Sequence, residues 1–360
     1  MTWRGVPSIT MQAKVPLTIC YLGRRGGGAK ITSQIYQDLK NSETFSTVAI
    51  CTRSDNELAK EYDQSHQIFL FENLLSIKTL AKVIRYALLP KSLLKDMRLS
   101  RSGSCLVPMI SPLGLIIESI LKFQGVNVIR LLHDFERHPG DKWPPNLLIR
   151  HIIGRSNFLI TLSNDVANKV LKQNPKTKVA VYPHPNFQFL TTNFSQKPRR
   201  RFILFIGRIR KYKGIENLLS AYSSLQLLDI DLVVAGEGKL KLKHDSNIKL
   251  INRWLEESEI AELVKDAEVV VFPYVEASQS GLLPYCTSMN KKIVITPLPG
   301  LLEQVCSYDN VFVASNTQAS ELAVVLKVAI EAEIASEKTE ELRSKNIEDC
   351  LLESGFFSVK

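Results

Sequence analysis

The 360 residues contain no CxxC pair and no dense cysteine cluster. Cys20, Cys51, Cys105, Cys286, Cys306 and Cys350 are scattered, which excludes a disulfide framework or thiolate zinc site and reads as reduced thiols. Long hydrophobic runs are also missing. The longest weakly polar stretch, residues 102–117, holds two prolines and stops at Glu118, too short and broken to span a bilayer. The opening residues lack an apolar h-region, so no secretory signal is read there, and 1–13 are expected to form a loose tail. No Walker GxxxxGK[ST], GxGxxG, HExxH or GxSxG pattern occurs, so the motif-bearing nucleotide, zinc-protease and serine-hydrolase sites are excluded. What is present is globular: 45% hydrophobic and 23% charged residues rule out wholesale disorder.

Charge is uneven. Residues 1–190 carry 25 lysines and arginines against 13 acids, whereas 191–360 carry 21 against 23. The basic half should attract something anionic: a membrane surface, a phosphorylated acceptor or nucleic acid. Residues 74–101 concentrate the effect. Lys78, Lys82, Arg85, Lys91, Lys95, Arg98 and Arg101 face a single acid, Asp96, and leucines and isoleucines are interleaved. Such a segment reads either as a solvated domain helix or as a face for an anionic bilayer. No nucleic-acid-binding module accompanies the charge, so no nucleic-acid partner is expected.

Short apolar runs alternate with helix-like segments. Strands are expected at 16–21, 47–51, 68–71, 105–109, 126–132 and 157–162, with a glycine-rich turn at 23–30 and a helix at 31–40. The texture changes around 183–201, read as a linker. The pattern then restarts: strands at 202–206, 231–235, 268–272 and 292–296, and helices at 214–225, 257–265, 282–289 and 320–330. Two Rossmann-like α/β domains facing each other across a cleft follow, 14–190 and 198–336, with a ligand at the carboxyl ends of the strands. A charged helix over 337–352 could return the 337–360 tail to the first domain.

The segment GRIRKYKG at 207–214 joins a strand end to a helix start. Unpaired helix N–H groups favour an anion, Arg208 suits a bidentate phosphate and Lys213 adds a point charge; the alternative is a solvated basic turn. After strand 268–272, the N–H groups of Gln279, Ser280 and Gly281 are candidates to grip a phosphate, against a plain capped loop. Gly27 and Gly28 belong to a turn whose backbone can approach an anion. His133 and Asp134 follow strand 126–132, and Glu136 lies close by. Imidazole and carboxylate could bind a metal, but HExxH spacing is absent; His133 reads as a cleft histidine or as a loop residue satisfied locally. Asp134 and Glu136 read as acceptor contacts or a general base. His184 in the linker is read equally as a site residue or an exposed one. The DxD-like Asp229-Ile230-Asp231 sits at a strand start, so it is read as surface.

Residues 202–305 resemble the nucleotide-sugar domain of retaining glycosyltransferases of family 4, which have the GT-B fold. The motifs carrying the resemblance are GRIRKYKG, DLVVAGEG, AELVKDAEVVVFPY, SQSG and KKIVITPLPGLLE, in the family's order. The resemblance implies that Arg208 and Lys213 hold the donor diphosphate, that the loop ending at Gly281 contacts phosphate and sugar, that the Gly27–Gly28 loop serves phosphate or acceptor, and that His133 is the cleft histidine. The family's two glutamates, eight positions apart, fall here on Ser278 and Cys286, with Glu276 two residues early. A branch of the family with a Gln-Ser-Gly donor loop shares this departure.

The expected activity is transfer of a hexose from a nucleotide diphosphate sugar to a lipid-linked or growing glycan, as in surface polysaccharide assembly. It is expected in the cytoplasm, peripheral to the inner face of the membrane, with no cofactor and no metal. A catalytically degenerate binding or scaffold protein and a nucleotide-sugar epimerase are the competing readings.

Overall fold

The computed structural model describes residues 14–72, 76–101, 103–139, 143–187, 189, 200–239, 246–335 and 345–357, without the side chains of 47 and 48. The expected tail over 1–13, most of the linker and the 337–344 part of the last helix lie outside the described residues. Seven strands form one sheet in the order β3-β2-β1-β4-β5-β6-β7, and six form another in the order β10-β9-β8-β11-β12-β13. The chain divides into two compact units, residues 1–131 with 346–360 and residues 132–345.

The first unit alternates β1 (Val15–Cys20), α1 (Gly27–Lys40), β2 (Phe45–Arg53), β3 (Gln67–Phe71), α2 (Ile77–Leu88), α3 (Pro90–Asp96), β4 (Ser104–Val107), α4 (Pro112–Phe123) and β5 (Asn127–Leu132). The strand pairs β1–β2, β1–β4, β2–β3 and β4–β5 are all parallel. Their centres are continuous apolar runs such as Ser104–Val107, buried throughout. Parallel sheets produce that pattern because helices cover both faces. Ser76 and Ser111 cap α2 and α4 by accepting backbone N–H groups, which satisfies donors a helix start leaves unpaired. Tyr86, Leu93, Leu94 and Met97 anchor α2 and α3 to the sheet core. The last helix, α12 (Ile347–Leu352), packs on α1, and the Phe357 ring meets Phe45 edge-on at 4.8 Å.

The second unit begins with α5 (Asn146–Gly154), β6 (Phe158–Thr161), α6 (Asn164–Gln173) and β7 (Lys178–Val181). It continues through β8 (Arg201–Ile206), α7 (Ile215–Leu225), β9 (Ile230–Ala235), β10 (Ile248–Ile251), α8 (Glu257–Asp266), β11 (Val269–Phe272), α9 (Leu283–Ser288), β12 (Lys292–Ile295), α10 (Pro299–Gln304), β13 (Val311–Val313) and α11 (Ala319–Glu331). All recorded strand pairs here are parallel too. The expectation of two parallel-sheet, Rossmann-like α/β domains is met.

Two local readings change. Helix α1 starts at Gly27 rather than at residue 31, because the Ala29 and Lys30 N–H groups already bond the Gly26 carbonyl. Gly27 and Gly28 are therefore first-turn helix residues. Strands β7, β10 and β13 were not expected. Each is an edge strand with a mixed burial pattern, so none shows the apolar run that marks a buried strand. Among the described residues, no helix is long and apolar enough to cross a membrane.

Candidate active site

Within the second unit, three loops that leave the carboxyl ends of β5, β8 and β11 meet. The 207–214 turn is held by its last residue. Gly214 has φ +67°, and a Cβ there would lie 1.7 Å from the Pro273 carbonyl oxygen. Only glycine permits both the left-handed backbone and that approach. The Val275 N–H then donates to the Tyr212 carbonyl at 2.9 Å, joining the turn to the loop after β11. Lys213 Nζ lies 3.6 Å from the centroid of the Tyr274 ring and 5.2 Å from that of Tyr212, an arrangement that holds the ammonium by the ring quadrupoles. Arg208 is exposed, and no described residue pairs with it.

The loop after β5 supplies the acid–base groups. His138, outside the residues the sequence singles out, is central. Its Nε2 lies 3.2 Å from Asp134 Oδ1 and its Nδ1 3.3 Å from Glu276 Oε1. Its ring stacks on Tyr212 with centroids 4.5 Å apart. Both ring nitrogens face carboxylate acceptors, so both are served best by carrying hydrogens. Burial lowers the His138 pKa, but hydrogen bonds and charge from Asp134 and Glu276 outweigh it and raise the group above its ordinary value. Burial likewise raises Asp134; His138, His133 and a hydrogen bond with Ser278 outweigh that and hold the carboxyl below its ordinary range. His138 is thus clamped between two carboxylates from segments far apart in sequence.

His133 is half-buried and influences the charge of both Asp134 and His184. His184 is a site-side residue. A Cβ on Gly281 would lie 3.3 Å from its ring, and Phe187 meets it edge-on at 5.1 Å. Burial pushes its pKa down to about 4. The unfolded imidazole takes a proton near 6.5, so this group removes stability as pH falls from 6.5 to about 4. His138 acts in another window: its contribution is complete below 6.5 and is lost as pH rises through its raised folded value. Replacing His184 with glutamine is expected to flatten the fall in melting temperature between pH 6.5 and about 4, read by thermal unfolding across a pH series.

In the loop after β11, one of the three N–H groups that are candidates to grip a phosphate already has a protein partner. The Ser280 N–H donates to Gln304 Oε1 at 2.7 Å, and Ser280 Oγ lies 3.1 Å from the buried Tyr274 hydroxyl. The Ser280 contacts face protein. Gln279 Oε1, by contrast, is buried with no hydrogen-bond partner among the described residues, an acceptor suited to a ligand hydroxyl or N–H. Cys286 is buried, which pushes its thiol up to about 12; it offers neither a charge nor an exposed polar atom where the resembling family has a glutamate. Glu276, half-exposed and bonded to His138, is the carboxylate this loop presents.

A cavity of about 560 Å³ opens here, lined by His138, Glu276, Ser278 and Glu136, with Arg150 and Lys172. Glu136 lies 3.3 Å from Arg150 as an exposed ion pair. Asp229 and Asp231 sit at the start of β9, paired with Arg201 and Arg200 at 3.7 and 3.0 Å, as a surface reading expects. Gly27 and Gly28 belong to the first unit. A Cβ on Gly28 would meet Met109 Sδ at 2.6 Å, while one on Gly27 meets nothing within 4 Å. The neighbouring Gly26 N–H donates to the Glu57 carboxylate at 2.6 Å, so a resident side chain occupies that donor.

The structure brings Asp134 and Glu136 near the 273–281 loop and sets Lys213 beside His138. Sequence reading misses His138 and Tyr212 as partners. The i,i+4 spacing of Asp134 and His138 was the one available signal; nothing local announces Glu276 as the second carboxylate.

Residues 190–348 match the family model Glycosyl transferases group 1. A GDP-mannose:glycolipid 4-beta-D-mannosyltransferase of Xanthomonas campestris pv. campestris is 26% identical over 185 residues, 48% of this chain and 51% of that protein. The chain thus spans about half the length of the curated relatives it matches. A glycosyltransferase from Rickettsia africae has a similar structure, with a TM-score of 0.62 at 14% identity over 88% of both chains. Anabaena HepE in complex with UDP and glucose gives a TM-score of 0.62 at 13% identity, covering 88% of this chain and 89% of that one. At these identities the structural likeness is one of fold, the GT-B fold.

Proposed function

We propose that this chain, whose residues 190–348 form a glycosyl transferases group 1 domain, transfers a hexose from a nucleotide diphosphate sugar to a glycan or lipid-linked acceptor in surface polysaccharide or glycolipid assembly. The observation that carries the reading is the meeting of the Tyr212–Lys213 cation turn with the Asp134–His138–Glu276 clamp beside a cavity. The relative named for GDP-mannose and the structure holding UDP and glucose support a nucleoside diphosphate as the donor's leaving group.

Breaking the glycosidic bond leaves negative charge on the diphosphate. Arg208 and Lys213 neutralise it, and Gln279 and the backbone at Gly281 help to seat the donor. The acceptor hydroxyl must lose a proton as it attacks the anomeric carbon. Asp134, kept ionised by the His138 imidazolium, is the base this site offers. His133 stands beside it toward the sugar, and Glu136 on the cavity wall contacts the acceptor. Gly27 and Gly28, first-turn residues of α1 in the first unit, are proposed as a backbone contact for phosphate or acceptor. None of the six cysteines forms a disulfide, which suits the cytoplasm, and the proposal places the enzyme there, at the inner face of the membrane.

The family 4 resemblance supports retention of anomeric configuration. Inversion is a second reading, favoured by the carboxylate backed by His138 and by a relative named for a beta linkage. A thermal-shift screen over nucleotide sugars identifies the donor, because a ligand bound only to the native state raises its melting point. NMR of the transferred anomer then decides the stereochemistry. Stabilisation without transfer or hydrolysis would favour the scaffold reading, motivated by Ser278 and Cys286. Conversion of the donor sugar with no acceptor present would make the chain an epimerase.

His138 is a positioning residue in this scheme. Its replacement by alanine is expected to lower kcat roughly 100-fold, the scale of a mispositioned reacting group. With the imidazolium gone, the Asp134 carboxyl rises, so the acidic limb of the pH–rate profile moves to higher pH. A merely structural His138 would lower the rate without moving that limb.

A further inference from the structure

We propose that the outer face of α2, continued into α3, docks on a bilayer containing anionic lipid. Five large apolar side chains of this one segment stand in solvent: Ile77 is 84% exposed, Leu80 61%, Ile84 51%, Leu88 74% and Leu89 61%. At about 100° per residue, Ile77, Leu80, Ile84 and Leu88 fall within an arc of about 80°. Arg85, Lys78 and Lys82 follow on one flank of that arc, and Thr79 and Tyr86 lie buried on the opposite side of the helix. The helix therefore has three faces: one seated in the core, one cationic and one apolar.

Nothing in the packing of the helix needs the apolar stripe. Tyr86, Leu93, Leu94 and Met97 already hold the α2–α3 segment to the sheet. Isolated exposed leucines are ordinary, but a contiguous row marks an interaction site. The charge around the row selects the occupant. No residue of α2 is acidic, and the nearby Asp96 is engaged by Arg85 and the Tyr86 hydroxyl. Lys78 lies 3.1 Å from Glu72, an exposed pair that constrains it little. Lys91, Lys95 and Arg101 are exposed, and no described residue pairs with them. A narrow apolar ridge bordered by cations matches the acyl boundary beneath anionic headgroups, where leucine and isoleucine enter and lysine and arginine remain at headgroup level. A partner protein would have to carry both an apolar groove and a carboxylate border of the same length, whereas a bilayer presents both everywhere.

The inference is independent of turnover, because its readout is binding; it fails or stands apart from the transferase reading. The test is co-sedimentation of the full chain with vesicles of phosphatidylcholine alone and of phosphatidylcholine with phosphatidylglycerol. The expected result is binding to the anionic vesicles, weak or no binding to the neutral ones, and loss of binding as salt is raised. The triple variant Leu80→Gln, Ile84→Gln, Leu88→Gln should bind at least tenfold more weakly, and so should Lys91→Glu with Lys95→Glu. Both variants should keep the parent melting temperature. Because the second pair lies on α3 and both of its side chains are exposed, it remains a test if the triple variant folds poorly. Failure to bind either vesicle, or binding unchanged in both variants, would overturn the proposal. Concentration-dependent self-association abolished by the triple variant, without vesicle binding, would overturn it in favour of a second copy as the occupant.

Discussion

Alanine at both Arg208 and Lys213 is expected to slow hexosyl transfer by roughly 10³-fold or more, on the scale of removing preorganised charge from a developing anion. Neither side chain holds the fold together. Arg208 is exposed and unpaired by any described residue, and Lys213 rests its ammonium over two tyrosine rings. The turn itself is fixed by its backbone, through Gly214 against Pro273 and the Val275–Tyr212 hydrogen bond. Removing both charges should therefore cost no more than about 2 kcal/mol of stability, the scale of losing the Lys213 contact with the buried Tyr274 ring. Each single variant should fall between the parent and the double variant. The loss should sit mainly in kcat, since the charge on the diphosphate is greater in the transition state than in the bound donor. Steady-state kinetics with the donor found by thermal shift, beside melting curves, checks this. Unchanged turnover in the double variant would remove the basis for assigning the 207–214 turn to the donor.

Glu118→Ala is expected to destabilise the protein by about 3–5 kcal/mol, because it strands a buried guanidinium. Glu118 on α4 and Arg130 on β5 form an ion pair whose side chains are 3% and 6% exposed. Burial alone pulls Arg130 down to about 10, a sign of how poorly the site solvates a cation. Arg130 Nε finds no partner among the described residues, so the pair is not fully satisfied by them even in the parent. That asymmetry gives the prediction a second arm. Replacing both members with apolar residues of similar size, Glu118→Leu with Arg130→Met, should cost little or stabilise by about 1–4 kcal/mol. Urea denaturation of the three proteins tests both statements. If the double replacement is as damaging as Glu118→Ala, the pair stabilises the fold through interactions beyond its own charge.

Buried and half-exposed strands differ in what their residues reveal. Strands such as Val269–Phe272 and Ser104–Val107 are legible because a parallel strand buried on both faces must be apolar at every position. The edge strands β7, β10 and β13 are half-exposed, so their composition carries no such mark. The glycine-rich stretch reads as a turn because three glycines lower helix propensity. In the structure Gly27 and Gly28 nevertheless enter α1, where close packing of Gly28 against Met109 outweighs propensity.

The candidate site divides the same way. Asp134 and Lys213, which the structure sets around His138, could be singled out because each follows an apolar strand, and strand ends are where α/β proteins bind ligands. The clamp on His138 is not legible, because its partners are 4 and 138 residues away and only folding brings Glu276 to its second nitrogen. The exposure of the α2 stripe is likewise a tertiary fact. The sequence of 74–101 determines an amphipathic basic helix, while the choice of which side seats in the core follows from where Tyr86, Leu93 and Met97 find neighbours. Periodic, local properties, such as strand alternation, helix faces and charge density, are written along the chain and were determined by sequence alone. Pairings between loops, the burial that shifts His184 and Cys286, and the commitment of the Ser280 N–H to Gln304 depend on distances between segments remote in sequence, and those distances exist only once the sheets have assembled.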